Sequence, residues 1–173
     1  MSNEPLLDKA TAHFRQLMAT QLDKVEAMKQ DQKWTDYGSL NPLIIGICWG
    51  DGIGKSISIQ AQRIMEHVLS SEAQAGKVEF RVIDGLTIEH RAACGQAIPD
   101  NVLAELKACH VILKGPTTTP QKGDQWPNIE SANVAMRREL DLFACVRPVT
   151  VPEKGIDWMF FRENTEGAYA LGS

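Results

Sequence analysis

The stretch that decides the fold is LIIGICWGDGIGKSISIQAQRIMEHVL, residues 43–69. Its opening run, Leu43 to Trp49, is almost entirely apolar, which predicts a strand buried on both faces. A glycine-rich turn follows. Apolar residues then recur at helical spacing, at Ile57, Ala61, Ile64, Met65, Val68 and Leu69. The stretch therefore predicts a strand, a tight turn and a helix that ends before Gly76.

The same alternation continues beyond this unit. Apolar and polar residues alternate over 78–82 and predict a second strand, Pro99 and Asp100 open another helix, and His110 to Leu113 predict a third strand. Strands and helices that alternate in this way are joined by right-handed crossovers and form a mainly parallel sheet. The sequence thus predicts an α/β fold.

The ends of the chain differ from this pattern. Apolar residues at helical spacing predict an amphipathic helix over roughly the first thirty residues, ahead of the main domain. After KGPTTTPQKG, residues 114–123, a helix over 132–140 precedes two strand-like segments, LFACVRPVTV and DWMFFREN. We expect three regions: a helical extension and linker over 1–42, the α/β domain over 43–142, and the start of a small domain over 143–173.

Composition excludes several classes of protein. With 173 residues, 43% apolar and 23% charged, the chain reads as one globular domain with a small appendage. Its 18 Lys and Arg against 22 Asp and Glu give no basic footprint for nucleic acid or anionic membranes. Four scattered cysteines without a CxxC pair indicate reduced thiols rather than a zinc site, and an acidic N-terminus does not resemble a signal peptide. These features predict a cytoplasmic protein.

The glycine turn, WGDGIGKS, is close to two nucleotide-binding motifs and matches neither. A P-loop needs a glycine five positions before the Gly54-Lys55-Ser56 end, and that position holds Trp49. A dinucleotide fingerprint needs GxGxxG, whereas this turn has GxGxG. The pattern favours a tight strand-to-helix turn whose helix N-terminus could still face an anion.

Arginines cluster in the C-terminal part of an otherwise acidic chain. Four of the eight arginines fall between 137 and 162, namely Arg137, Arg138, Arg147 and Arg162. Asn133 lies four residues before Arg137 on the predicted helix, hence on the same face, and Ser131 is expected to cap that helix. If the guanidinium groups on helix and strands converge, they suit a ligand that carries several carboxylates, because each can grip a carboxylate with two bonds.

The alternative interpretation is that these arginines pair with nearby acids on a solvated surface: Glu130, Glu139, Asp141 and Glu163. Other polar candidates carry weaker signals. The threonines at 117–119 could contact a ligand or satisfy local backbone, and Tyr169 could donate a proton or pack at the edge of the core. The four histidines have no ligand spacing.

Four motifs together resemble the β-decarboxylating dehydrogenases, the family of isocitrate and isopropylmalate dehydrogenases. They are GDGIGKSI, LKGPTTTP, SANVAMRRELDLFACVRPV and FRENTEGAY, and the match runs from about Leu43 to the last residue. The resemblance implies a three-layer isopropylmalate-dehydrogenase-like fold, of which this chain would hold the N-terminal part of the large domain and the start of the small domain.

The resemblance also implies roles for particular residues. Arg137, Arg147 and Arg162 match the arginines that hold the substrate carboxylates, and Ser131 and Asn133 match the motif that accepts the third carboxylate of isocitrate. Isopropylmalate enzymes have apolar residues there, so the chain looks like an isocitrate dehydrogenase. Lys114 and Thr118 match positions that approach the substrate and the nicotinamide ring, Asn133 also matches a cofactor contact, and Tyr169 matches the catalytic tyrosine that protonates the enol.

The implied reaction is hydride transfer to NAD or NADP, loss of CO2 assisted by Mg2+ or Mn2+, and protonation of the enol. The family's metal-binding aspartates and catalytic lysine lie later in its chain, so we expect no metal ligand here. The implied partners are isocitrate, a complementing C-terminal half or second subunit, and further copies of the chain. Alone the chain should be inactive, and it should expose unpaired strand edges and apolar surface. The alternatives are a non-catalytic tricarboxylate-binding or association module and a homoisocitrate dehydrogenase fragment.

Overall fold

A computed structural model describes residues 4–30 and 35–165. The chain divides into two compact units, Met1–Ser39 and Leu40–Ser173. The first unit contains α1 (Glu4–Gln30) and a short 3-10 turn, Tyr37–Ser39. α1 confirms the predicted N-terminal helix. None of the helices in the described residues is long and apolar enough to cross a membrane.

The second unit begins with the predicted strand, turn and helix. Its elements are β1 (Leu43–Cys48), α2 (Ile53–Val68), α3 (Ser70–Gln74), β2 (Val78–Val82), α4 (Ile88–Cys94), α5 (Asp100–Lys107), β3 (Val111–Lys114), α6 (Ala132–Glu139), β4 (Ala144–Val151) and β5 (Ile156–Glu163). The predicted helix that ends before Gly76 is divided at Leu69 into α2 and α3, and α4 has no counterpart in the sequence-based prediction. α4 is a single short helix with Thr87 at its N-cap and Gly95 in the left-handed conformation at its end, too short for apolar periodicity to reveal.

β1 lies at the centre of a parallel sheet with the order β2-β1-β3. It pairs with β2 from Leu43 opposite Val78, and with β3 from Ile45 opposite Val111. The last four residues of β1 are buried, as a strand covered on both faces requires. Because β1 and β3 are parallel, the loops that follow them leave the sheet at the same edge.

One apolar core lies against this sheet. It combines residues from β1, the loop after β2, α5 and α6: Cys48, Ile83, Leu86, Ile98, Val102, Leu106, Ala135 and Met136. Burial of α6 through Ala132, Ala135 and Met136 turns its remaining faces, with Asn133 and Arg137, away from the core. The core therefore fixes the orientation of the helix that carries one of the clustered arginines.

α2 packs differently from what its apolar pattern suggests. Only Gly54 and Ser58 are buried, while large apolar side chains of the helix are exposed: Ile53, Ile57, Ile64 and Val68. The small residues let the helix approach the loops at the sheet edge, where the Ser58 hydroxyl donates to the Trp49 carbonyl at 3.2 Å. The isoleucines that predict the helix therefore do not form its buried face in the described part of the chain.

β4 and β5 form an antiparallel hairpin that pairs from Ala144 opposite Glu163 to Val151 opposite Ile156. Both of its faces expose large apolar side chains, among them Val146, Trp158, Met159, Phe160 and Phe161. The apolar surface expected of this chain is thus present in the described residues. Contiguous apolar surface of this kind marks sites of protein association.

Gly115 tests how closely the two loops at the sheet edge must approach. A methyl group at this position would lie 2.0 Å from the Trp49 carbonyl oxygen and 2.6 Å from Ser58 Oγ. We expect Gly115→Ala to lower the free energy of unfolding by about 3 kcal/mol, since overpacking at a rigid contact forces backbone shifts. Chemical denaturation measures this loss.

Gly95→Ala is the matched control. Gly95 is in the left-handed conformation with φ of 65° and ψ of 22°, and no atom lies within 4 Å of the added methyl. Its substitution should cost only the left-handed backbone penalty of about 1 kcal/mol. Equal losses for the two variants would contradict a steric requirement at Gly115.

Candidate functional site

The loops after β1 and β3 contact each other through their backbones. Gly115 N–H donates to the Cys48 carbonyl at 2.7 Å, and Asp51 N–H donates to the Pro116 carbonyl at 2.7 Å. Gly50 allows this approach, because a methyl group there would lie 2.1 Å from the Pro116 oxygen. The glycine turn therefore supports the neighbouring loop rather than forming a phosphate cradle by itself.

The Asp51 carboxylate joins this pair of loops to α4. Its Oδ1 accepts from Ile88 N–H at 2.8 Å and its Oδ2 accepts from Thr118 N–H at 2.6 Å. The side chain is only 9% exposed. One carboxylate thus holds the start of α4 and the threonine loop, residues 115–119, against the glycine turn.

Arg91 of α4 reaches the same point and has no exposed surface. Its Nε donates to the Leu86 carbonyl at 3.1 Å, and its Nη2 donates to the Thr118 carbonyl and lies 3.8 Å from Asp51 Oδ2. Burial lowers the pKa of the guanidinium and the Asp51 charge opposes that effect. Asp51 and Arg91 were not among the predicted site residues. An acid within a glycine turn is a visible signal, but Arg91 lies in the helix that the sequence did not reveal.

Lys114 ends β3 beside the threonine loop. Its Nζ donates to the Gly115 carbonyl at 2.9 Å and to Thr117 Oγ1 at 3.1 Å. Burial lowers the pKa of its ammonium group, Cys48 and Asp51 act in the opposite direction, and the positive charges of Arg91 and Arg137 lower it further. Lys114 and Arg137 are therefore close enough for their charges to interact.

α6 presents the predicted residues Ser131, Asn133 and Arg137. Ser131 occupies the N-cap position, as predicted, but its hydroxyl does not make the hydrogen bond of a side-chain cap. The extended backbone at Ser131 places the residue as a cap, yet the side chain is left for other partners. Asn133 and Arg137 are half-buried, four residues apart along one face.

The surface-pair interpretation holds for Arg138 and does not extend to Arg137. Arg138 is exposed and bonds Glu130 through two nitrogens at 2.7 and 3.0 Å, and Glu139 at 3.2 Å. Within the described residues no carboxylate lies within salt-bridge distance of Arg137. Two adjacent arginines thus differ: one neutralises surface acids, while the other faces the sheet edge.

The hairpin brings Arg147 and Arg162 to one face, as expected for neighbouring strands. Cys145 is directly opposite Arg162, and Arg147 lies two residues along the same strand, so all three side chains share a face. Arg147 Nε donates to Cys145 Sγ at 3.3 Å, and Arg162 donates to Asn164 Oδ1 at 3.2 Å. Arg147, Arg162 and Arg137 all lower the pKa of the Cys145 thiol, the hydrogen bond from Arg147 having the largest effect.

Cys145 thus lies beside Arg147 and Arg162 on the hairpin, and close enough to Arg137 of α6 for that charge to act on its thiol. We call Arg137, Arg147 and Arg162 the arginine cluster. Positive charges from three elements that act on one thiol make this region suitable for a multiply charged anion. Tyr169 lies outside the described residues. In the described part of the chain no group of three or more His, Cys, Asp or Glu side chains could hold a metal ion.

A groove of about 630 Å³ runs along the outer side of β3, between α5 and α6. Its lining is mostly apolar and includes Leu106, Ile112, Met136 and Leu142, with Lys114 at one end. The arginine cluster does not line it. Because the groove follows a strand edge and its surface is mostly apolar, with acids as well as bases among its lining residues, it suits a further segment of polypeptide better than an anionic small molecule.

Comparisons with known proteins agree with the motifs. The family described as isocitrate/isopropylmalate dehydrogenase matches residues 44–172. An isocitrate dehydrogenase [NADP] from Caldococcus noboribetus is 38% identical over 139 residues, covering 74% of this chain and 31% of the relative. The isocitrate dehydrogenase [NADP] of Archaeoglobus fulgidus is 39% identical over 142 residues, covering 75% and 32%. The chain spans about a third of the length of these relatives.

Solved structures give the same result for the fold. A β-decarboxylating dehydrogenase from Thermococcus kodakarensis in its apo form aligns with a TM-score of 0.56 and 30% identity, covering 72% of this chain and 34% of that one. A protein from Thermus thermophilus aligns with a TM-score of 0.54 and 30% identity, covering 79% and 28%. The chain therefore shares its α/β fold with β-decarboxylating dehydrogenases.

Cys145 should be a reactive thiol because the arginine cluster stabilises its thiolate. Its pKa lies below the usual 9.0, whereas burial raises the pKa of Cys48 to about 12 and raises that of Cys109. The thiolate fraction below the pKa rises tenfold for each unit by which the pKa falls, and nucleophilicity falls less steeply. We expect alkylation of Cys145 by iodoacetate, followed by mass spectrometry against pH, to show a midpoint below 9.0 and a rate above those of Cys48 and Cys109.

Two arginine variants test whether the arginine cluster lowers the Cys145 pKa. Arg147→Gln should shift the Cys145 midpoint to higher pH. It should also slow alkylation by anionic iodoacetate more than alkylation by neutral iodoacetamide, because a positive charge is lost. Arg138→Gln, which removes an arginine held by Glu130 and Glu139, should leave the midpoint and the two alkylation rates unchanged. A Cys145 midpoint at or above 9.0 in the unaltered chain would contradict convergence of the arginines.

Proposed function

Because the chain belongs to the isocitrate/isopropylmalate dehydrogenase family, we propose that it supplies the N-terminal, carboxylate-binding part of an isocitrate dehydrogenase. The reaction of the completed enzyme would be oxidative decarboxylation of isocitrate to 2-oxoglutarate and CO2. Relatives named for NADP favour NADP over NAD. The observation that carries the proposal is that Arg147 and Arg162 share a hairpin face beside Cys145, where the charge of Arg137 also acts.

The charge of the arginine cluster fits the substrate class. Isocitrate carries three carboxylates, and each planar guanidinium can bind a carboxylate with two charge-assisted hydrogen bonds. Arg138 satisfies its neighbouring acids, so Glu130 and Glu139 do not neutralise Arg137. A concentrated cationic surface on a chain with a net charge of -4 supports a bound anion.

Ser131 and Asn133 favour a third carboxylate over an alkyl group. Ser131 has a hydroxyl that is not used for capping, and Asn133 shares a helix face with Arg137. Polar groups at this end of the site would be left unpaired against the isopropyl group of isopropylmalate, which costs binding free energy. Homoisocitrate, a longer acid with the same charges, stays an alternative substrate.

The threonine loop suits the position next to a nicotinamide ring. Both backbone groups of Thr118 are bonded inwards, to Asp51 and Arg91, so its exposed side chain is presented to a ligand from a fixed peptide. We assign Thr118 and Asn133 to the cofactor and Lys114 to the substrate. The nicotinamide, when bound, would accept a hydride from the carbon that bears the hydroxyl group.

Turnover should need residues from outside this chain. We assign protonation of the enol to Tyr169 of this chain, whereas no group of three or more His, Cys, Asp or Glu side chains in the described residues could hold a metal ion. The chain spans about a third of the length of its relatives, so we assign Mg2+ or Mn2+ binding and the catalytic lysine to the remainder. The role of this chain is to bind and orient the carboxylates.

A second candidate function is a non-catalytic module that binds a tricarboxylate or associates with a partner. It is favoured by the location of all three clustered arginines within one short chain and by the exposed apolar faces of α2 and the hairpin. The two candidates differ in whether binding needs a complementing chain.

Calorimetry and an activity assay separate them. We expect no turnover of isocitrate by the isolated chain with Mn2+ and NADP, because the described residues contain no group of three or more side chains that could hold the metal ion. Tight isocitrate binding by the chain alone favours the module, and binding that appears only with a complementing chain favours the split enzyme. Robust turnover by the isolated chain would contradict both assignments. Citrate, an isomeric tricarboxylate, and isopropylmalate serve as comparison ligands.

Ser131→Asp tests the position of the third carboxylate in the completed enzyme. The added negative charge should weaken isocitrate binding by about 1 kcal/mol or more through like-charge repulsion. Ser71→Asp, which adds the same charge on exposed α3, should leave the dissociation constant unchanged. Isocitrate affinity that is unaffected by Ser131→Asp would remove Ser131 from the site.

The isolated chain should also self-associate. Its hairpin, α2 and the β3 groove expose apolar surface that the longer chain of a family enzyme could cover. Light scattering across a concentration series should show a rising mass. A monomer at every concentration would overturn this expectation and count against an oligomeric partner.

A further inference from the structure

The contacts of the threonine loop point to a role for two residues that the resemblance does not assign. We propose that Asp51 and Arg91 are positioning residues that hold the Thr118 peptide, and through it the Lys114 and Thr117 side chains, at the site. The proposal rests on the proposed function, since it concerns the loop assigned there to substrate and cofactor.

The Thr118 peptide is held from both of its polar groups. Asp51 Oδ2 accepts from its N–H at 2.6 Å, and Arg91 Nη2 donates to its carbonyl. These bonds come from different segments, the glycine turn and α4, so neither segment can shift without moving the loop. Bonds with an ionised partner are shorter and stronger than those between neutral groups.

The loop passes this constraint on to Lys114. Thr117, the preceding residue, accepts a hydrogen bond from Lys114 Nζ at 3.1 Å, and Gly115 accepts another at 2.9 Å. Displacement of the Thr118 peptide would change the position of Thr117 and release the ammonium group. Asp51 and Arg91 therefore set the position of a cation that interacts with Arg137.

A contribution to folding stability alone does not explain the pairing of Asp51 with Arg91. Arg91 is fully buried, and within the described residues its Nη1 has no hydrogen-bond partner. Burying a guanidinium with an unsatisfied donor costs free energy, and apolar replacements of buried ion pairs are often as stable as the originals. A device that fixes one loop in one position is a better account of the geometry.

The planar fork of Arg91 makes the proposal specific. Nε and Nη2 bond two different carbonyls, those of Leu86 and Thr118, on either side of the buried guanidinium. Lysine at this position could keep the charge opposite Asp51, but a single ammonium on a flexible stem does not reproduce the fixed fork. Replacing Arg91 by lysine can therefore separate the effect of its charge from the effect of its fixed geometry on the threonine loop.

The experiment compares Arg91→Lys with Arg91→Met in the whole 173-residue chain. We expect Arg91→Met to lower the unfolding temperature, since it leaves the Asp51 charge buried without its partner, and Arg91→Lys to stay closer to the unaltered chain. Both variants should raise the amide hydrogen exchange of Thr118 about tenfold or more, the effect of losing one charge-assisted bond. Exchange at Ile47, in the centre of the sheet, is the internal reference. Arg138→Met is the control for loss of an arginine.

A second readout concerns the site itself. Acylation of the Lys114 amine, followed by mass spectrometry, should be faster in Arg91→Lys than in the unaltered chain, because Thr117 no longer holds the ammonium. A purely electrostatic or structural role predicts the opposite result: Arg91→Lys would restore Thr118 exchange and Lys114 labelling to their original values. That outcome would overturn the proposal.

Isocitrate titration keeps this inference distinct from the proposed function. If the unaltered chain, with its complementing chain, fails to bind isocitrate, the proposed function fails, while exchange at Thr118 still decides whether Arg91 positions the loop. If isocitrate binds the unaltered proteins, Arg91→Lys should weaken binding several-fold with little change in unfolding temperature.

Discussion

The Asp51 carboxylate is the constraint on which the sheet edge depends. It accepts hydrogen bonds from Ile88 and Thr118, two amides that lie 37 and 67 residues further along the chain. Parallel pairing of β1 with β3 brings the loop that carries Thr118 next to the turn that carries Asp51. The glycines at 50 and 115 make the approach possible, and Asp51 converts proximity into a fixed geometry. The position of the sheet edge thus depends on three features together: the parallel strands, the close backbone contact and the Asp51 carboxylate.

The arginine cluster imposes a second constraint, which concerns charge. A chain with a net charge of -4 could neutralise every arginine locally, as Arg138 is neutralised by Glu130 and Glu139. Arg137, one residue earlier, has no carboxylate within salt-bridge distance in the described residues, and its charge acts on Cys145 and Lys114. A multiply charged anion bound beside such charges would be attracted by several of them at once.

Much of this arrangement could be predicted from the sequence, and the reasons for the gaps are physical. Long apolar runs and helical periodicity revealed β1, α5 and α6, and strand-like segments around Arg147 and Arg162 correctly suggested neighbouring strands. Pairing between Asp51 and Arg91 could not be found, because it joins residues of a turn and of a seven-residue helix whose signals are too short for periodicity. Ser131 occupies the predicted N-cap of α6 without a side-chain capping bond, because sequence position predicts the cap residue but not the rotamer of its hydroxyl.

The exposed apolar stripe of α2 connects the fold to the proposed completion of the site. Ile53, Ile57, Ile64 and Val68 follow a helical face that the core of the second unit leaves uncovered, because Gly54 and Ser58 already occupy the contact with the loops. In α2 the small residues form the contact with the loops, and the large apolar residues are left on a separate face. The β3 groove and the hairpin present apolar surface in the same way. Relatives about three times as long have additional chain with which to cover such surfaces. The folding of this segment and the completion of its site are therefore parts of one problem, since the polypeptide that covers the apolar surfaces could also supply the residues that the reaction still needs.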